Sequence, residues 1–95
     1  MEIIGAQKAD RFSKKHPRAR KPLQRFLDMA RASSWQHLSD VKNSFPATDY
    51  APKSGLTIFD IGGNKYRLVA RIGFAEQLLA IQAILTHEEY DRETF

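Results

Sequence analysis

The sequence predicts a single α+β domain spanning residues 1–95, with helices packed on one face of an antiparallel sheet. Two observations lead to this fold class. In the first half, apolar residues between Leu23 and Ala30 recur at i, i+3, i+4 and i+7, the spacing of one helix face. After Gly55 the apolar residues recur with the period of two that is typical of strands.

The first half predicts two antiparallel helices and a short third helix. A first helix begins at Ala6 and ends before Pro17, because the residue before a proline is pushed out of the α region. The second helix carries the apolar face described above. Ser33 or Ser34 is expected to cap a third helix that starts near Trp35 and directs its apolar side inward.

The second half predicts a three-stranded antiparallel meander. Its strands are expected at Leu56–Ile61, Lys65–Gly73 and Leu78–Leu85. Gly62-Gly63 is expected to form a tight two-residue turn between the first two strands. The third strand is almost entirely apolar and is therefore placed in the interior of the sheet. Glu2–Ile4 is expected to add an N-terminal edge strand, and 43–54 to form a loop.

Composition excludes several classes of chemistry. The chain has no cysteine, which removes disulfides, thiol nucleophiles and cysteine-based zinc sites. The N-terminus lacks the basic and apolar regions of a signal peptide, and no apolar run is long enough to cross a bilayer. We therefore expect a cytoplasmic protein that does not bind membranes and that needs no cofactor.

Positive charge is concentrated in the first third of the chain. The net charge is +4, but residues 1–31 hold nine Lys/Arg against three acids, and residues 72–95 hold one Arg against five acids. This asymmetry favours a polyanionic partner such as RNA for the basic part, although a solvated helical face has the same pattern. The candidate RNA-binding or ribosome-binding residues of the helices are Lys8, Arg11, Arg18, Lys21 and Arg25.

A row of cations is predicted on the second strand of the meander. Alternation places Lys65, Arg67 and Arg71 on one side of the strand, whereas Tyr66 and its alternate neighbours face the helices. Surface strands also carry Lys and Arg for solubility. Neighbouring like charges repel one another, and this cost favours a phosphate-binding surface over a role in solubility alone.

His87 and Tyr90 follow the last strand and are three residues apart. If Thr86 begins a helical turn, both side chains project from the same side. An imidazole titrates near neutrality and suits proton transfer, although a histidine near a C-terminus is more often structural or solvated. The acids around His87 resemble a solvated tail more than a metal site, because the segment has no second histidine.

These residue types suit metal-independent RNA cleavage. In that reaction the ribose 2′-OH attacks the adjacent phosphate, so the site needs a base, an acid and cations for the charged phosphorane. His87 can serve as acid or base. Arg67 can grip the phosphate bidentately, while Lys65 or Arg71 adds charge. Tyr90 can orient the phosphate or stack on a base.

Two motifs in the sequence resemble the HigB toxin family of the RelE/ParE-like group. They are FDIGGNKYRL at Phe59–Leu68 and THEEYD at Thr86–Asp91. Trp35, ahead of Asp40-Val41-Lys42 and Phe45-Pro46, adds to the likeness. The resemblance covers nearly the whole chain. It implies two N-terminal helices packed on an antiparallel sheet.

The resemblance also implies a function. Members of this family are ribosome-dependent mRNA endoribonucleases that act without metal and are held in check by a HigA-type antitoxin. The helix-turn-helix domain of that antitoxin binds operator DNA, so the toxin meets DNA only through the complex. The family's catalytic roles map onto Lys65, Arg67, Arg71, His87 and Tyr90, and Asn64 joins the RNA-binding residues. Two alternatives stay open: a related toxin that acts on DNA gyrase, and a non-catalytic RNA-binding module.

Overall fold

The computed structural model describes all residues, 1–95, as four helices and five strands. The helices are α1 (Gln7–Lys15), α2 (Arg20–Ala32), α3 (Leu38–Ser44) and α4 (His87–Asp91). The strands are β1 (Glu2–Ile4), β2 (Asp49–Ala51), β3 (Leu56–Ile61), β4 (Tyr66–Gly73) and β5 (Leu78–Thr86). A 3₁₀ turn at Pro17–Ala19 joins the first two helices. No helix combines the length and apolar character needed to cross a membrane.

The five strands form one sheet in the order β1-β5-β4-β3-β2. The meander β3-β4-β5 is antiparallel, as predicted, and β5 lies in the interior of the sheet. The sheet is not antiparallel throughout, because β1 runs parallel to β5. A parallel pair requires a long crossover, which the intervening helices supply. Strand β2 lies inside the segment predicted as a loop. Its three residues are extended because they form hydrogen bonds with β3.

Helices α1, α2 and α3 cover one face of the sheet and form the core with it. All four apolar residues on the face of α2 are buried, as its spacing predicts. Phe59 of β3 is fully buried at the centre of the core, with its ring centroid 4.7 Å from Phe26 and 5.5 Å from Phe45. The first helix ends at Lys15, before Pro17, also as predicted.

The third helix begins later than the serines predict. Ser33 instead ends α2, where its hydroxyl donates to the carbonyl of Met29 at 2.7 Å. Helix α3 begins after His37, and the Asp40 carboxylate accepts the backbone N–H groups of Gln36 at 2.8 Å and His37 at 3.1 Å. These two hydrogen bonds lower the pKa of Asp40 below its usual 3.8. The predicted serine cap is wrong. The Asp40 carboxylate, from inside the helix, accepts the N–H groups at its start, and no serine is needed there.

Two irregularities set the register of the meander. The turn between β3 and β4 has four residues, 62–65, because Ile61 pairs with Tyr66; the predicted two-residue turn is wrong. Gly62 and Gly63 have φ angles of +64° and +75°, which favour glycine. The register between β4 and β5 also shifts beside Val69, leaving Gln82 without a partner. This bulge lets both Ile81 and Ile84 pack against the helices.

Candidate active site

The sheet face away from the helices carries the candidate catalytic side chains. The predicted alternation along β4 is confirmed, because Leu68 and Ala70 belong to the core and Tyr66 and Ile72 pack against it. We call the opposite side the open face. It carries Arg67, Val69 and Arg71 of β4, together with Ile58 and Asp60 of β3.

Arg67 is held by several partners on the open face. Its Nε lies 3.2 Å from Asp60 Oδ1, and its Nη1 donates to the carbonyls of Asn64 at 2.9 Å and Tyr66 at 3.1 Å. Only 12% of its side chain is exposed. Arg67 is therefore not the free cation that the row of basic residues suggests. Its Nη2 forms no hydrogen bond and is not fully buried, so this nitrogen is available to a phosphate without loss of a partner.

Tyr90 covers the Arg67 guanidinium. The guanidinium carbon lies 5.4 Å from the centre of the Tyr90 ring, within the range of a cation–π contact. On the chain beyond, the Phe95 ring stacks on Tyr90 with centroids 5.7 Å apart. The structure thus brings two predicted site residues together and adds an aromatic ring that the sequence reasoning did not include.

His87 is the first residue of α4. Thr86 caps this helix, which meets the condition set in the sequence analysis: its hydroxyl accepts the Glu89 N–H at 3.2 Å, and its own N–H donates to Glu89 Oε1 at 2.8 Å. The latter bond is the main reason that the pKa of Glu89 lies below its usual 4.5. The reciprocal pair fixes the start of α4, and with it the position of His87 at the end of β5.

The His87 imidazole borders an open cleft of about 460 Å³. The cleft is lined by Asn64, Lys65, Thr86, His87 and Glu88. Nδ1 of His87 lies 3.3 Å from Asp91 Oδ2, and 48% of the side chain is exposed. Nδ1 therefore faces Asp91, whereas the other ring nitrogen, Nε2, has no partner within the chain.

His87 and Tyr90 make separate contacts. His87 contacts Asp91 beside the Lys65 cleft, whereas Tyr90 lies over Arg67. The two groups are neighbours through the backbone, since the His87 N–H donates to the Lys65 carbonyl at 3.0 Å. The acids around His87 do not converge with it into a cluster that could hold a metal ion.

Arg71 lies away from this group, towards the other end of β4. It is four residues beyond Arg67, which corresponds to roughly 13 Å along a strand. Its Nη1 would lie 3.2 Å from a Cβ placed on Gly55, so the guanidinium rests against the turn before β3. Arg71 can contribute long-range positive charge at the cleft, but it makes no contact there.

The basic residues of the helices form two separate groups. Lys8 and Arg11 of α1 line a groove of about 320 Å³ beside β5 and α4, together with Lys15, His16 and Glu89. Arg18, Lys21 and Arg25 are exposed on the 3₁₀ turn and α2. Lys15 and His16 were not among the predicted RNA-binding residues. The heptad-like spacing of Lys8 and Lys15 is the sequence signal that could have included Lys15.

Asp60 is the other site residue that sequence reasoning missed. It lies opposite Arg67 in the β3-β4 register. The sequence carries no local signal for this pair, because the pairing depends on the four-residue turn after Ile61. The predicted two-residue turn shifts the register and conceals the pair.

The chain is similar to known proteins along nearly all of its length. A family model named HigB_toxin, described as the RelE-like toxic component of a toxin-antitoxin system, matches residues 19–93. The "mRNA interferase HigB" of Escherichia coli O6:H1 is 24% identical over 95 residues, covering 99% of this chain and 92% of that protein. The "mRNA interferase toxin HigB" of Escherichia coli K12 is 28% identical over 94 residues, covering 96% and 88%.

A third relative agrees with these two. The "mRNA interferase HigB" of Shigella flexneri is also 28% identical over 94 residues, and the match covers 96% of this chain and 88% of that protein. The family model spans much more than half of the chain and includes β4 and α4, the elements that carry Arg67, His87 and Tyr90. The chain therefore belongs to the HigB toxin family, the RelE-like toxic components of toxin-antitoxin systems.

Proposed function

We propose that this chain is an mRNA endoribonuclease that acts on the ribosome without a metal ion and thereby inhibits translation. The observation that carries the proposal is the half-exposed His87, held through Nδ1 by Asp91 at a cleft bordered by Lys65. Arg67 lies on the neighbouring strand β4, and Tyr90 of α4 lies over its guanidinium. Relatives named mRNA interferase support mRNA as the substrate.

The proposed reaction is transesterification within the RNA. The ribose 2′-oxygen forms a bond to the adjacent phosphorus and loses its proton to a base. The bond from phosphorus to the 5′-oxygen breaks, and an acid donates a proton to that oxygen. The products are a 2′,3′-cyclic phosphate and a free 5′-hydroxyl. His87 Nε2 moves one of the two protons, and positioned proton transfer contributes about 10²- to 10⁴-fold to the rate.

The remaining residues stabilise charge and position the RNA. Arg67 Nη2 and the Lys65 ammonium face the phosphate, on which negative charge increases in the transition state. Tyr90 orients the phosphate, or stacks on an unstacked base that takes the place of Phe95. Asn64, in the turn beside Lys65, contacts the RNA at the cleft. Arg71 adds charge from a distance.

The basic helices are the proposed contact to the ribosome. Lys8 and Arg11 form one contact through the groove beside α4, and Arg18, Lys21 and Arg25 form a second on the outer side of α2. The proposed partner in the toxin-antitoxin pair is a HigA-type antitoxin with a helix-turn-helix domain. That antitoxin, and not this chain, contacts operator DNA. The proposed compartment is the cytoplasm, where ribosomes and mRNA are found.

The test combines controlled expression with mapping of new mRNA 5′ ends. New ends inside translated codons that require ribosomes and persist in EDTA are the expected result. Growth arrest without new ends would point to a gyrase-directed toxin. RNA binding without arrest or cleavage would indicate a non-catalytic module, whose affinity falls steeply with salt.

Arg67→Ala and His87→Ala should each abolish growth arrest while the protein stays folded. Arg31→Ala and His37→Ala are matched controls, because both residues are exposed and lie outside the cleft. Circular dichroism and the midpoint of thermal unfolding check the fold of each variant. Full toxicity of the double variant Arg67→Ala/His87→Ala would exclude the proposed site.

A further inference from the structure

Asp60 is an acid inside a cationic site, and its carboxylate contacts the Arg67 guanidinium at 3.2 Å. We propose that Asp60 is a positioning residue for catalysis: it holds Arg67 so that Nη2 is the nitrogen presented to the RNA phosphate. The inference rests on the proposed function, since it assigns Asp60 a role in RNA cleavage.

The contacts of Arg67 account for two of its three guanidinium nitrogens. Asp60 engages Nε, and two backbone carbonyls of the β3-β4 turn and β4 engage Nη1. A guanidinium is planar, so fixing Nε and Nη1 also fixes the direction of Nη2. The backbone carbonyls alone leave the guanidinium free to pivot about Nη1, and Asp60 removes that freedom.

The position of Asp60 suits this role. Asp60 and Arg67 are directly paired positions on adjacent antiparallel strands, and side chains on strands are placed more precisely than side chains on loops. The side chains are 26% and 12% exposed, so water screens the pair less than it screens a fully solvated one. Tyr90 closes one face of the guanidinium at 5.4 Å, which limits the directions of phosphate approach further.

A surface that only binds RNA would bind it better without Asp60. A carboxylate beside the phosphate site repels the substrate, and this repulsion weakens binding. The positioning role therefore predicts opposite effects on two quantities when the carboxylate is removed. The cleavage rate falls because Arg67 is misdirected, whereas RNA affinity stays the same or increases.

The experiment measures single-turnover cleavage of mRNA on purified ribosomes, and separately measures the Kd for the ribosome–mRNA complex. The variants are Asp60→Ala, Asp60→Asn and the control Asp49→Ala. Asp49 is an exposed acid on β2 that points to the same open face and forms no ion pair. Its removal makes the same change in net charge near the site without touching Arg67.

Asp60→Ala should slow cleavage on the order of 100-fold, the usual consequence of misplacing a catalytic group by about 1 Å. Its Kd should be unchanged or lower. Asp60→Asn should recover most of the rate, because its amide oxygen can still accept a hydrogen bond from Nε. Asp49→Ala should cleave at the wild-type rate. In an Arg67→Ala background, Asp60→Ala should cause no further loss of rate.

A spectroscopic readout separates this proposal from the proposed function. The Arg67 Nε–H should give a resolved, slowly exchanging NMR signal in the wild type, in Asp60→Asn and in Asp49→Ala, and should lose it in Asp60→Ala. A folded Asp60→Ala variant that cleaves at the wild-type rate would overturn the proposal. An equal loss of rate in Asp49→Ala would also overturn it, because the effect would then be general electrostatics.

If the wild type cleaves no RNA, the proposed function fails and the catalytic role of Asp60 fails with it. The NMR signal would still show whether Asp60 holds Arg67. If Asp60→Ala does not fold, Asp60→Asn serves as the test. A cleavage rate near that of the wild type, with the Nε–H signal retained, supports positioning. Loss of rate in Asp60→Asn despite a retained signal contradicts it.

Discussion

The two faces of the sheet differ in what covers them and in the roles that we propose for their residues. The face under the helices is covered by interlocking apolar and aromatic side chains, with Phe59 at the centre. On the open face, Val69 is fully buried and Ile58 nearly so, yet both lie outside that core. The open face also carries the salt-bridged Arg67, with the Tyr90 ring over it and the Phe95 ring stacked on Tyr90.

Along the same strands, this difference separates the residues that build the helix-side core from the residues that we propose act on RNA. One side of β4 contributes Leu68 and Ala70 to a continuous core, where packing sets the cost of each change. The other side holds Arg67 in a polar network whose value lies in direction and charge. Substitutions on the two faces should therefore fail in different ways, one through unfolding and the other through loss of activity.

The largest expected effect comes from breaking the helix-side core. Phe59→Ala removes a ring that is fully buried among Phe26, Phe45 and Trp35. We expect a loss of roughly 3–5 kcal/mol in the free energy of unfolding. That loss is a large share of the stability of a small domain, about 5–15 kcal/mol. Urea denaturation followed by circular dichroism measures it.

Arg71→Ala is the counterpart on the open face. Arg71 is exposed, so we expect a change within about 0.5 kcal/mol in the same experiment. Comparable losses for Phe59→Ala and Arg71→Ala would contradict the division between a stabilising face and a functional face.

A smaller effect is expected on the outer side of the helices. Reversing the charges of Arg18, Lys21 and Arg25 to Glu should weaken ribosome association and reduce its dependence on salt, because fewer phosphate contacts release fewer counterions. The matched control reverses Arg31, Lys42 and Lys53, which are exposed elsewhere and give the same change in net charge. Sedimentation with ribosomes over a series of salt concentrations measures both sets; equal weakening would remove the special role of the first set.

The smallest effect is expected at the cap of α4. Hydrogen bonding to Thr86 lowers the pKa of Glu89 in the folded state below its usual 4.5. A lowered folded-state pKa means that the carboxylate stabilises the fold above the usual pKa and that this contribution is lost as the pH falls through the folded-state value. Glu89→Gln should therefore show a smaller fall in Tm between neutral pH and acid pH than the wild type.

Calorimetry at several pH values tests this prediction, with Glu88→Gln as the control. Glu88 is the neighbouring exposed acid, and no side-chain hydrogen bond fixes it. An identical dependence of Tm on pH in the wild type and in Glu89→Gln would show that this cap does not contribute to stability.

Most of the fold could be predicted from the sequence because its signals are local. Pro17 ends a helix whatever surrounds it, and the four apolar positions from Leu23 to Ala30 define one helix face. Alternation from Tyr66 to Ile72 separates the side chains that face the helices from the side chains on the open face. Strand β2 carries no comparable signal, because its three residues become a strand only by pairing with the edge that β3 offers. The parallel pairing of β1 also depends on where the helices carry the chain.

The candidate site could be predicted in its residue types but not in its contacts. The resemblance to the HigB toxin family pointed to Arg67, His87 and Tyr90, and the family is confirmed by the match over residues 19–93. The roles of these residues stay predictions. Arg67 was predicted to be an unpaired cation. Asp60 is seven residues away along the chain, and only the β3-β4 register brings the two side chains together.

The sequence by itself determined which residues face the core, where the first helix ends and which family the chain resembles, since these follow from period, proline and motif. Only the tertiary structure decided that Asp60 meets Arg67, that Tyr90 lies over it and that Arg71 lies apart from both. The physical reason is register. A turn two residues longer moves every cross-strand partner, and no local pattern in the sequence reports that shift.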